Sequence, residues 1–207
     1  PLANLFGIDA IGGGEVKPGL VDKDNCPRGV KDRDIGRHGV ENGAKIDVYT
    51  NSLASTDATY VAANMYLGLQ RWRAKGINVY LHDGNWMPKN PQTPAYVRSA
   101  KGGTHSKVQV YMTNTYSEVM VGTYNIDHRS NYYNAEMGLF CKGNDKFTAE
   151  VVGSIAANTK FGLKVSGDGK SVTDRNGKSQ SVFGATPGDV RKMKLITLPS
   201  WLLKELI

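Results

Sequence analysis

The chain of 207 residues is long enough for one domain with a substantial core, and its 40% hydrophobic and 22% charged content is that of an ordinary globular protein. No apolar run approaches the roughly 18 residues that a membrane-spanning helix needs, and Cys26 and Cys141, far apart with no CxxC and no histidines around them, argue against a zinc site. Twenty-six Lys and Arg against nineteen Asp and Glu leave a formal charge of +7, which favours anionic partners such as phospholipid surfaces, nucleic acid or phosphorylated substrates without choosing among them.

The chain opens at Pro1 with no initiator Met, so a processed chain or a fragment is expected. Residues 1–35 are rich in Gly and Pro, without sustained periodicity, and read as an irregular arm or connector; residues 36–207 read as the folded lobe. Lys45-Ile-Asp-Val-Tyr-Thr50 alternates like a strand. Asn51 to Asp57 follows as a loop of helix-capping residues, and from Ala58 to Ala74 the positions Val61, Met65, Leu69 and Trp72 recur at helical spacing. Gly76 ends that helix and Ile77–Leu81 reads as a second strand. Strand, crossover helix and strand in this order predict a βαβ unit with parallel pairing.

Residues 83–104, with Trp86 and three prolines, form a long loop of the kind that rims functional sites. Strands are expected at 105–111 and 117–123, joined by a turn at Thr113-Asn-Thr115, with a further strand at 135–141 and a helix at 146–157 marked by Phe147, Val151 and Ile155. Gly169-Lys-Ser171 and Gly177-Lys-Ser179 imitate the end of a phosphate loop, but Lys164 and Val172 stand where its first Gly belongs, so both read as turns between short strands. An apolar end follows at Leu198–Ile207. The whole predicts an α/β lobe, a mixed β-sheet flanked by helices.

The residues that carry chemistry are His105-Ser-Lys107, Gly122-Thr-Tyr-Asn125 and Asn134-Ala-Glu136. On an extended strand, positions two apart share a face, so His105 and Lys107 are expected to project together, an imidazole beside a positive charge. Gly122 permits close backbone approach, Thr123 and Asn125 offer hydrogen bonds to a phosphoryl oxygen, and Glu136 is a carboxylate able to hold a histidine Nδ1–H. The set supplies a nucleophile or proton donor, a charge stabiliser and an orienting acid.

These residues resemble the HxK…GSxxN…E signature of the phospholipase D superfamily. Thr50 to Asp57, Gly122 to Ser130 with Asn134-Ala-Glu136, and Leu198-Pro-Ser-Trp-Leu-Leu203 are similar to the C-terminal half of bacterial cardiolipin-synthase-type members, so that the resemblance covers residues 36–207. It implies a phospholipase-D-like lobe, one half of a two-lobed or dimeric enzyme that hydrolyses or transfers phospholipid phosphodiesters through a phosphohistidine. His105 is then one of two essential histidines, and the proton donor if this is a C-terminal lobe. Lys107 and Asn125 bind the non-bridging oxygens, Glu136 bonds a catalytic histidine, and Thr123, in the usual Ser position, contacts substrate together with Asn51 and Asp127. No metal or other cofactor is implied. The implied partners are a phospholipid or other phosphodiester, an N-terminal lobe or second copy that completes the site, and a membrane met peripherally; peripheral membrane, cell envelope or secreted placement is favoured over cytoplasmic. The chain departs from the pattern at Met112, where the family usually has Asp seven residues after the His, and in three extra residues between His105 and Gly122.

Two other readings compete. A single-motif homodimeric nuclease of the same superfamily suits the basic charge, and an inactive lobe that only binds phosphodiesters suits Met112. His38, His82 and His128 lack the neighbouring Lys and Asn of His105 and are expected at the surface. The Asn51–Asp57 loop also reads as a plain helix cap, and Trp201-Leu-Leu203 as the docking of a terminal helix on the core or contact with a membrane. Cys26 and Cys141 are compatible with two thiols or one disulfide.

Overall fold

The computed structural model describes residues 9–13, 44–56, 59–84, 95–96, 102–125, 130, 134–183, 188, 191–192 and 194–196, and of 9–13, 59–64 and 67 it describes the backbone alone. The expected βαβ unit is present. Strand β2 (Lys45–Asn51) leads to helix α1 (Thr59–Ala74) and then to β3 (Asn78–His82), which pairs with β2 in parallel. Alternation in Ile46-Asp-Val-Tyr and the β-branched, aromatic run of β3 suit a pleated sheet, while Met65, Leu69 and Trp72 share one face of α1 and are all buried. Each such side chain contributes roughly 1.5–3 kcal/mol by leaving water.

The segment expected as an irregular arm corrects that reading in part. Asp9–Gly13 forms β1 in the middle of the sheet, antiparallel to β2 and parallel to β4 (Val108–Met112). Its sequence Asp-Ala-Ile-Gly-Gly has neither alternation nor bulk, because a strand flanked on both sides by backbone partners is held by its ladder and needs no amphipathic pattern. The strand at 105–111 is likewise shifted: β4 begins at Val108. Strand β5 (Ser117–Gly122) returns antiparallel to β4, and β6 (Gly138–Lys142) pairs with β5. Helix α2 (Asp145–Thr159) is capped by the Asn144 side chain, which accepts the Phe147 N–H at 3.0 Å. Short strands β7 (Leu163–Val165), β8 (Ser171–Thr173) and β9 (Ser179–Ser181) complete the element series, joined by turns at the two glycine-containing segments.

These strands form one nine-stranded mixed sheet in the order β6-β5-β4-β1-β2-β3-β7-β8-β9. Register puts Val48 level with Ala10 and Gln109, hence on the opposite face from Val110. Val48 belongs to the core under α1, with Val79, Leu81, Val165 and Val172, whereas Val110 and Val119 pack with Ile155, Val151 and Val152 of α2. The two helices therefore cover opposite faces. Met112 packs against this second cluster, so an apolar side chain has a structural task at the position where the resembled family carries Asp. Cys141 lies half-buried on β6 as a free thiol. Cys26, Trp86 and the apolar end at 198–207 lie outside the described residues.

Candidate functional site

One edge of the sheet gathers the chemistry. Because β1, β4 and β6 begin where β2, β3 and β5 end, that edge holds Asn51, His82, the segment 102–107, Gly122–Asn125 and Asn134–Met137. The carboxyl ends of the parallel strands β2 and β3 open on it, as at ligand sites of other α/β sheets.

His105 and Lys107 are not on a strand. They occupy the extended approach to β4, and they meet because Lys107 turns back: its Nζ stands 3.0 Å from His105 Nε2 and donates to the His105 carbonyl at 3.0 Å. An ammonium has no acceptor capacity, so in this contact Nε2 is the acceptor and the neutral ring carries its proton on Nδ1. His105 is exposed and Lys107 half-buried.

Asn51, expected against substrate, is buried and holds the chain in front of His105. Its Nδ2 donates to the Thr104 carbonyl at 2.7 Å, and its Oδ1 accepts the Thr104 N–H at 2.9 Å and the Ser55 hydroxyl at 3.0 Å. With its amide committed at both ends, it positions backbone. Gly103 belongs to the same clip, since a Cβ there would stand 2.4 Å from the Ser55 carbonyl oxygen.

Across the edge, Gly122 approaches β6 so closely that a Cβ would lie 2.2 Å from the Met137 carbonyl oxygen. The close backbone approach expected at Gly122 is made here, to the neighbouring strand. Thr123 latches the two strands: its N–H donates to the Met137 carbonyl at 2.9 Å, its Oγ accepts the Met137 N–H at 2.9 Å, and its hydroxyl donates to Glu136 Oε2 at 2.5 Å. A hydroxyl has one proton, so in this arrangement Thr123 orients Glu136 and has none left for a substrate. Hydrogen bonds from Thr123 first, then Ser130 and Asn134, and the charge of Lys107, hold the Glu136 carboxyl below the usual carboxylate range. That Lys107 acts on Glu136 shows the two halves of the motif within electrostatic reach of each other. Asn125 anchors the turn by donating its N–H to Ser130 Oγ at 3.2 Å, and its Oδ1 is buried with no hydrogen-bond partner among the described residues. Asp127, His38 and His128 lie outside the described residues.

His82 contradicts the expectation of a surface residue. It ends β3 beside Asn51, is buried, and accepts the Gly84 N–H on Nδ1 at 2.9 Å. Burial lowers its pKa below 6.5, against a smaller opposing pull from Asp83. The signal for it was positional: it closes the apolar run Val79-Tyr80-Leu81, at the carboxyl end of an interior parallel strand. Among the described residues no group of three or more His, Cys, Asp and Glu is placed to hold a metal ion, and no helix is long and apolar enough to cross a membrane. Comparison with protein-family models, with curated proteins and with solved structures finds no match.

Proposed function

We propose that this chain is one lobe of a phospholipase-D-type enzyme that cleaves or transfers phospholipid phosphodiesters, supplying one of two His–Lys half-sites. The observation that carries the reading is the convergence of the His105–Lys107 pair, Asn125 and Glu136 on one sheet edge, from three separate segments of the chain.

In this reading the nitrogen of one histidine attacks phosphorus and the bond to the leaving oxygen breaks. That oxygen takes a proton from the second histidine. Water or an acceptor alcohol then attacks the phosphohistidine, returns a proton to the second histidine, and releases the first as a neutral ring. By the resemblance to C-terminal lobes, His105 is the proton donor. The Lys107 ammonium, 3.0 Å from its Nε2, swings onto a non-bridging oxygen when a diester enters, which frees Nε2 and places positive charge where negative charge develops. Asn125 joins it: a half-turn of its amide presents Nδ2 in place of the unpartnered Oδ1. Glu136, kept ionised by Thr123, Ser130 and Asn134, is the acceptor for an imidazole Nδ1–H.

The test is headgroup release from phosphatidylglycerol vesicles by the assembled protein in EDTA, beside cutting of single-stranded DNA. Headgroup release that is lost in folded His105→Asn supports the proposal. DNA cutting without lipid turnover moves the chain to the nuclease reading, and turnover that survives His105→Asn overturns both.

A further inference from the structure

His82 has no part in the chemistry above, yet it is a buried imidazole at the same sheet edge. Its Nδ1 accepts the N–H of Gly84 at 2.9 Å. Gly84 has φ 78°, a conformation other residues rarely adopt, and a Cβ there would stand 2.7 Å from the Ala54 carbonyl oxygen. The Gly84 carbonyl in turn accepts the Gly102 N–H at 3.0 Å. Gly102 and Gly103 lead directly to Thr104, whose N–H and carbonyl are both bonded to Asn51, the register partner of His82. A closed ring of contacts thus runs from His82 through Gly84 and Gly102 to Thr104, and back through Asn51. His105 is the next residue.

We infer that His82 is a positioning residue: as a neutral imidazole accepting from Gly84, it fixes the backbone that carries His105, and its protonation releases that backbone. The reading rests on the proposed phosphodiester function only in giving His105 a reacting role. An imidazolium has two N–H donors and no acceptor, so protonation replaces the Gly84 hydrogen bond with two donors facing each other in a buried place. Of the titratable groups described around it, the Tyr49 ring faces it from β2 with centroids 6.2 Å apart, and the adjacent Asp83 carboxylate pulls towards the charged form. Burial outweighs that pull and keeps the ring neutral near pH 7.

Two readouts test this on the whole chain. In an amide NMR titration of the wild type, Gly84, Gly102 and Thr104 are expected to shift with the same midpoint as the His82 ring, below 6.5. His82→Asn, whose Oδ1 takes the place of Nδ1 without titrating, is expected to lose that midpoint and to flatten the acid limb of kcat. His82→Ala is expected to lower kcat about ten- to a hundredfold, the scale of a small misplacement at a reacting group, with KM nearly unchanged. Amides at 102 and 104 that ignore the His82 titration overturn the inference, as does an acid limb unchanged in His82→Asn. The amide readout needs no turnover. Coupled shifts in a protein without diesterase activity therefore leave the positioning standing and count against the function alone.

Discussion

His105 is exposed, so replacing its side chain uncovers little buried area and costs the fold little. His105→Asn is expected to keep the wild-type circular dichroism and melting temperature while losing roughly 10²–10⁴-fold or more of kcat, the share that a positioned acid or nucleophile supplies. Glu136 offers a second check at the same scale. Its depressed pKa is a stabilising linkage with a definite sign: the contribution is present above the ordinary carboxyl value of 4.5 and is lost as pH falls through the lower folded value. Thr123 is the largest cause. Thr123→Val, which keeps the shape and removes the donor, is expected to raise the Glu136 midpoint towards 4.5 in a carboxyl-carbon NMR titration; an unchanged midpoint would assign the depression to Lys107 and the other neighbours instead. His82 was the residue least legible in the sequence, because its one mark is its place at the end of the apolar run Val79-Tyr80-Leu81, with no adjacent Lys to single it out.

Among the elements, β2 and β3 were legible as short runs of β-branched and aromatic residues, and α1 by the helical spacing of its buried Met65, Leu69 and Trp72. The segments that meet at the site were legible less accurately. His105 and Lys107 were assigned to a strand on the strength of their spacing, whereas the strand starts at Val108 and the pair meets through a lysine that folds back. The side-chain rule for strands gave a correct neighbourhood by a different geometry. Asn51 and Thr123 were expected at a substrate, and both are spent on backbone or on Glu136, since polar side chains at the ends of sheet strands first satisfy the chain around them. Two expectations follow at this scale. Asn51→Leu leaves the Thr104 N–H and carbonyl without their partner and is expected to cost about 1–3 kcal/mol by urea denaturation, with a fall in kcat as the approach to β4 loosens. Gly122→Ala forces a Cβ against the Met137 carbonyl and is expected to destabilise by about 1–3 kcal/mol. Wild-type stability in Gly122→Ala would show that β5 and β6 separate freely at this end.

For the whole molecule, the α/β architecture with a mixed sheet flanked by helices was foreseen from element order, while the place of β1 in the interior of the sheet was not. An in-line displacement at phosphorus needs a nucleophile on one side and a proton donor near the leaving oxygen on the other. The described sheet edge brings one His–Lys pair, and the other described histidine there, His82, is buried and bonded to backbone. The +7 charge adds a long-range attraction for an anionic diester or lipid surface and weakens with salt. On this account a second copy, related by a two-fold axis, or another lobe of the same protein completes the site. Size-exclusion chromatography with a diester-cleavage assay on every fraction, for wild type and His105→Asn in parallel, tests this most directly. The expected result is a silent monomeric fraction, with any turnover confined to larger species and missing from His105→Asn. Full turnover by a folded monomer of this chain would contradict the half-site, and equal turnover by His105→Asn would contradict the chemistry assigned to it.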